Sequence, residues 1–215
     1  MAMEPKAKRK TTQVNRGFCV RTRNGHFFDP SIGIISEIDI NDIAHALSNI
    51  CRYSGHCEQF YSVAEHSVLV SRIIRQMWPD DLNSIWAGLL HDATEAYVGD
   101  VTTPLKVLLP GFMALEDSIQ KDIAHAFKIK WDVQTHQRVK MADMIALSTE
   151  ARLLFADVSE WDSIKKYEPM PALLRVDFPT NSAQAKTSFL REFRKVQGEL
   201  QDGQGIKKRR SERSA

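Results

Sequence analysis

Long apolar runs are missing from this chain of 215 residues. None approaches the roughly 20 residues that a membrane-crossing helix needs. The charged start, MAMEPKAKRK, is not followed by the apolar stretch of a secretory leader, so neither a membrane anchor nor export is expected. Cysteine is scarce: Cys19, Cys51 and Cys57 are odd in number and form no C-x-x-C pair. That disfavours a disulfide framework and points to reduced thiols in structural roles, as in a cytoplasm. A G-x-x-x-x-G-K-[ST] loop is also lacking, which excludes a P-loop nucleotide hydrolase. No internal repeat is apparent.

An excess of charge of one sign is missing overall, since the net charge is only +2, but the distribution is uneven. Residues 1–16 carry +4 and residues 201–215 carry +3, which leaves −5 for the body between them. Both ends lack apolar periodicity, and disordered basic tails are expected there, flanking one domain over 17–200. KAKRK and KKRR could touch nucleic acid, but solvated ends are the simpler expectation.

The 43% of hydrophobic residues is enough for a sizeable core. Its pattern is helical. Asp39 can cap a segment in which Ile40, Ile43, Ala44, Leu47 and Cys51 recur at helical spacing. Further helices are expected at about 61–77, 84–98, 112–128, 135–157 and 181–199, punctuated by Pro79, Gly99, Pro110 and Pro171. Near the start, FCVRTRNGHFF (18–28) sets Asn-Gly between two β-prone runs, the signal for a two-residue type I′ hairpin. The expected fold is all-α with a small N-terminal β-hairpin.

Three segments aim polar groups at the interior of such a bundle. On a wheel of 84–98, His91, Asp92 and Glu95 share the side opposite the apolar residues, with Gly88 between the two sides. Alone, this could be the solvated face of an amphipathic helix, although a missing side chain at Gly88 lets something approach the backbone. His66 lies inside the apolar arc of Val63, Leu69, Val70, Ile73 and Ile74. Asp143 sits mid-arc among Val139, Ala142, Ala146 and Leu147, where an unpaired carboxylate is costly to bury. One divalent cation would satisfy His66, His91, Asp92 and Asp143 together. Two imidazoles and two carboxylates suit Mn, Fe, Co, Ni or Zn better than Ca.

The pattern H…HD…D resembles that of HD-domain metal-dependent phosphohydrolases. AEHS (64–67), GLLHDATEAYVGDVTTPLK (88–106) and ADMIAL (142–147) resemble the bacterial 5′-deoxynucleotidase branch and its phage-borne relatives, over about residues 38–160. DIAHALSNICRYSGHCEQFYSVAEHS resembles phage-type members, some of which act on deoxynucleoside triphosphates, including dATP.

The resemblance implies an HD-domain helical bundle with His66, His91, Asp92 and Asp143 as metal ligands and Glu95 as the catalytic carboxylate. Arg52 takes the place of a phosphate-holding arginine. Tyr53 stands where those relatives carry a tryptophan that excludes the ribose 2′-hydroxyl, so a deoxy preference kept by pocket shape, and a weaker one, is expected. Asp100 matches a second functional acid, or else is a turn residue after Gly99. Lys106 could pair with phosphate oxygens or stand at the surface. Glu150 shares the arc of Asp143 and could orient a ligand or an arginine, while His45, His56 and His125 are expected to be structural or exposed. An alarmone hydrolase fits less well, because Ala96 follows Glu95 where that branch has a second acid.

The activity so implied is hydrolysis of nucleoside 5′-phosphates, releasing phosphate from a dNMP or triphosphate from a dNTP. The expected partners are the nucleotide and further copies of the chain, in the cytoplasm. The competing expectation is a nucleic-acid-binding or scaffold protein that has lost catalysis and works through its basic tails.

Overall fold

The computed structural model describes residues 19–30, 33–34, 37–174 and 180–213. The basic segment 1–16 lies outside them. The chain opens with three short antiparallel strands, β1 (Val20–Arg21), β2 (Phe27–Asp29) and β3 (Gly33–Ile34), in the order β1-β2-β3. Val20 pairs with Phe28, and Phe28 in turn with Ile34. The hairpin between β1 and β2 is present, but its turn is not the expected one. A type I′ turn needs left-handed backbone at both central residues. Of Asn24 and Gly25 only Gly25 has positive φ, at 90°. The amide of Thr22 donates to the His26 carbonyl at 2.9 Å and that of Gly25 to the Thr22 carbonyl at 3.1 Å, which makes a three-residue loop over 23–25. Asn24 is drawn aside because its amide nitrogen donates to Asp42 and its side chain to Asp39.

The rest is helical, as expected. Helix α1 (Ile40–Asn49) starts at Asp39, whose carboxylate accepts from the Asn41 amide. Helix α2 (Val63–Met77) starts in a capping box in which Ser62 and Glu65 satisfy each other's backbone amides. Asp81 caps α3 (Leu82–Leu89) and Asp132 caps α7 (Val133–Leu154). Between them come α4 (Glu95–Val98), α5 (Thr103–Lys106) and α6 (Pro110–Ala126); α8 (Asp162–Lys165) and α9 (Ser182–Arg213) close the chain.

Helix α2 is the axis of the bundle, packed against α1, α3, α7 and α9. Its buried Leu69, Ile73 and Ile74 meet Ile85 and Leu89 of α3 and Phe189 of α9 in one continuous core. Gly88 of α3 faces Ile74 and Val70 of α2. A Cβ there would lie 2.4 Å from Ile74 Cδ1 and 3.3 Å from Val70 Cγ1. The missing side chain does admit a close neighbour, and that neighbour is a helix.

Two expectations about helix ends change. The single helix over 84–98 is broken: α3 stops at Leu89, a turn runs through 90–94, and α4 starts at Glu95. At the other end, α9 continues to Arg213, through residues where a disordered tail was expected. Once a helix is nucleated each further residue adds a hydrogen bond, and the Gln, Lys, Arg and Glu that dominate this end have good helix propensity.

Candidate metal centre

His66 sits in the first turns of α2 and is fully buried. His91 and Asp92 occupy the turn after α3, and the break in the helix is what lets both face α2. The Nε2 atoms of His66 and His91 stand 3.3 Å apart. Asp92 Oδ2 is 3.5 Å from His66 Nε2 and 3.2 Å from His91 Nε2. Asp143, from α7, brings Oδ1 to 3.4 Å from His66 Nε2, while its Oδ2 is held by Lys140 Nζ at 3.0 Å. His66, His91 and Asp92 each offer a ligand atom within 4.8 Å of the others, a group that could hold a metal ion.

The hydrogen bonds behind these residues decide which atoms face inward. His91 Nδ1 lies 2.8 Å from the Gly88 carbonyl, which can only accept, so Nδ1 carries the proton and Nε2 presents a lone pair. His66 Nδ1 donates to Glu150 Oε1 at 2.7 Å, leaving its Nε2 for the interior. In the neutral rings two lone pairs and two carboxylates confront one another, a repulsive arrangement that a cation relieves. Burial and Arg52 push the His66 imidazole down, yet Glu150 and Asp143 outweigh them and raise it to about 9. The carboxylates behave consistently. Burial works to raise Asp92 and Asp143, but the imidazoles of His91 and His66 hold both well below the usual carboxylate range.

Glu150, two helical turns beyond Asp143, is the hub of the buried network. Besides His66, it accepts from the hydroxyls of Tyr61 at 2.8 Å and Tyr53 at 3.0 Å, and Arg52 Nε lies 3.4 Å away. Arg52 also reaches Asp92 Oδ2 with Nη1 at 3.6 Å. The Tyr53 hydroxyl is thus committed to Glu150. Its ring packs edge-on against Phe155 and Trp161, with centroids 5.1 and 6.2 Å away. Burial and the Glu150 charge push the phenol far above its ordinary range.

A cleft of about 620 Å³ opens on this cluster, lined by Arg52, Tyr53, Asp92, Glu95, Asp100 and Lys106 among others. Glu95 is buried at the head of α4, and its Oε2 has no hydrogen-bond partner among the described residues. Burial, then Asp92 and Asp100, raise its carboxyl well above the usual range, and the opposing charges of Arg52 and Lys106 do not restore it. Asp100 follows Gly99, whose φ is 81°, and is raised in the same direction by burial and Asp92 against Arg52. Lys106 Nζ donates to Glu116 at 2.6 Å and stands 4.0 Å from Glu95 Oε1.

All nine residues singled out for chemistry therefore lie in or directly against one cleft. Sequence reasoning missed Tyr61, Lys140, Glu116 and Trp161; of these only Tyr61, five residues before His66, had a positional signal. His56 and His125 are exposed, and His45 is half-buried on α1. A second group, His26, Asp39 and Asp42, also brings ligand atoms within 4.8 Å. Its atoms are largely taken by the strands: Thr22 Oγ1 donates to Asp42 Oδ2 at 2.6 Å, the Asn24 amide to Oδ1 at 2.9 Å, and His26 Nδ1 lies 2.7 Å from Oδ2.

No protein-family model matches the chain. Two curated proteins do. Uncharacterized protein YfdR of Escherichia coli strain K12 is 37% identical over 81% of this chain and 93% of its own length. The chain belongs to that family. An uncharacterized protein of Rhodobacter capsulatus is 33% identical over 65% of this chain and 74% of its own. Among the described residues no helix is long and apolar enough to cross a membrane.

Proposed function

We propose that the protein is a metal-dependent phosphohydrolase of the HD-domain type, acting on nucleoside 5′-phosphates with a preference for 2′-deoxy sugars. The observation that carries the proposal is the pair of imidazole Nε2 atoms 3.3 Å apart, flanked by Asp92 and Asp143 at the foot of a cleft. His66, His91, Asp92 and Asp143 would hold a divalent cation, with Mn, Co, Zn, Fe or Ni suiting the mixed nitrogen and oxygen donors. When bound, such a cation lowers the pKa of a water in contact with it and draws charge from a phosphoryl oxygen.

The other residues supply what that chemistry lacks. Glu95 is the proton carrier, because a carboxyl raised by burial and like charge exchanges its proton nearer neutrality. Asp100 faces the same cleft and is the second acid. Arg52 and Lys106 bring positive charge to the rim, where phosphate oxygens of the substrate would lie. No covalent nucleophile is needed. Tyr53 acts on the sugar through the shape of its ring, since its hydroxyl is occupied by Glu150.

The test is a screen for released phosphate, pyrophosphate and triphosphate over NMPs, dNMPs and dNTPs, each with Mn, Co, Zn or Mg. Metal-dependent release from one class identifies substrate and leaving group together. Absence of release across the panel by metal-loaded protein overturns the proposal. Equal kcat/KM for dAMP and AMP, or for dATP and ATP, would overturn the deoxy preference alone.

A further inference from the structure

The loop that carries Arg52 and Tyr53 is bracketed by two cysteines. Cys51 Sγ and Cys57 Sγ are 3.9 Å apart, both half-buried and both thiols. Their backbones are anchored independently of each other. Cys51 forms an isolated antiparallel bridge with Ser62, backed by the Arg52 amide donating to the Tyr61 carbonyl at 2.8 Å. Beyond Cys57, the Glu58 amide donates to the Leu154 carbonyl at the end of α7 at 3.0 Å. Between them the chain turns through three consecutive left-handed residues, Tyr53, Ser54 and Gly55, with φ of 58°, 52° and 78°. For tyrosine and serine such backbone costs about 1–2 kcal/mol each, so the loop is under tension in the thiol state.

We propose that Cys51 and Cys57 form a reversible dithiol–disulfide pair, oxidised by peroxides, whose closure resets the Arg52–Tyr53 loop and so lowers the capacity of the cleft to hold phosphate. Bringing the sulfurs from contact to bond length needs a movement of roughly 2 Å, within reach of side-chain rotation and a small loop shift. One thiolate attacks a peroxide oxygen; the O–O bond breaks, giving a sulfenic acid and hydroxide, which takes up a proton. The second sulfur then attacks the sulfenic sulfur. The S–S bond forms, the S–O bond breaks, and the thiol proton leaves with the oxygen as water. Each cysteine loses one electron and the peroxide ends as two waters. The ring so closed contains Arg52, whose guanidinium spans Asp92 and Glu150, so the strain is delivered to the cleft.

The sequence supplies a direct readout, because trypsin cuts after Arg52, between the two cysteines. Full-length protein treated with hydrogen peroxide is expected to lose two mass units and to yield a tryptic pair joined through Cys51 and Cys57, reversed by dithiothreitol. Metal-loaded oxidised protein is expected to bind inorganic phosphate several-fold more weakly by calorimetry than reduced protein, with no such difference in Cys57→Ser. The disulfide readout does not rest on the proposed function, and the phosphate readout rests on the proposed metal site but not on turnover. Failure of the cross-link to form overturns the pair. A cross-linked protein with unchanged phosphate affinity overturns the switch.

Discussion

Among the described residues two clusters bring histidine and aspartate ligand atoms within 4.8 Å of one another, and they have opposite characters. At the hairpin, Asp42 receives Thr22, Asn24 and His26, and Asp39 receives Asn24 and Asn41, so the group is a knot tying the strands to α1. At the cleft, the outward-facing atoms of His66 and His91 are pinned by Glu150 and the Gly88 carbonyl, and the inward-facing ones meet each other and the carboxylates of Asp92 and Asp143. Residue type is the same in both. What differs is where the hydrogen-bond partners stand: donors in front of the carboxylates at the knot, acceptors behind the imidazoles at the cleft.

Substitutions at the two clusters test this contrast. The largest effect is expected from Asp92→Ala, which removes a candidate ligand and should abolish measurable metal retention and metal-dependent turnover, while Asp39→Ala leaves metal content unchanged. Elemental analysis after gel filtration of both variants checks it, and equal metal content in the two would erase the distinction. Glu95→Gln should keep metal and fold but lower kcat by about 10²-fold or more, as expected for the loss of a general acid or base. Near-normal turnover would move the proton transfer to Asp100. Glu150→Gln keeps the shape of the hub but removes its charge, and metal affinity should fall about 10–100-fold, the usual effect of losing a partner that orients a ligand. Calorimetry with Mn reads that directly.

The smallest effect belongs to the knot. Asp42→Ala should cost about 1–2 kcal/mol of stability through its lost hydrogen bonds and leave turnover untouched. The knot also has a pH signature. Asp42 is lowered: burial works to raise it, but bonds from Thr22, His26 and Asn24 prevail. Its contribution is therefore present above about 4 and lost as pH falls through the lowered value. His26 is raised, chiefly by its bond to Asp42, so its contribution is full below about 6.5 and lost as pH rises through the raised value. Amide exchange at Thr22 and Asn24, corrected for intrinsic rates, should be slowest between about pH 4 and 6.5 and faster at pH 8. Corrected protection that does not change between about pH 6.5 and pH 8 would show that His26 does not contribute through its charge.

Periodicity revealed much of this and also set its limits. His66 and Asp143 were legible because each is a polar residue inside an apolar arc, and burial forces such a residue to find a partner. His91, Asp92 and Glu95 were legible as a set, but the uninterrupted helix assigned to them was not correct. The apolar spacing of α3 continues through the turn at 90–94, so the wheel cannot see the break, and the bond from His91 to the Gly88 carbonyl is a tertiary choice between side-chain directions. The commitment of Tyr53 to Glu150 spans 97 positions and leaves no local trace. The third strand was missed because two-residue strands carry too little alternation to read. The long reach of α9 was missed because charge and glycine resemble a tail until a preceding helix is there to extend.

The close approach at Gly88 acts as a spacer gauge for the chemistry. The imidazole of His66 rides on α2, and that of His91 is hung from the Gly88 carbonyl on α3. The gap between their nitrogens is thus the gap between the two helices, handed on through one hydrogen bond. A single methyl group at position 88, meeting Ile74 and Val70, would have to be absorbed either by those side chains or by that gap. The spacing of the candidate ligands is then set three residues before His91, by a hydrogen atom, and a variant there would keep every candidate ligand and still mis-set the gap between them.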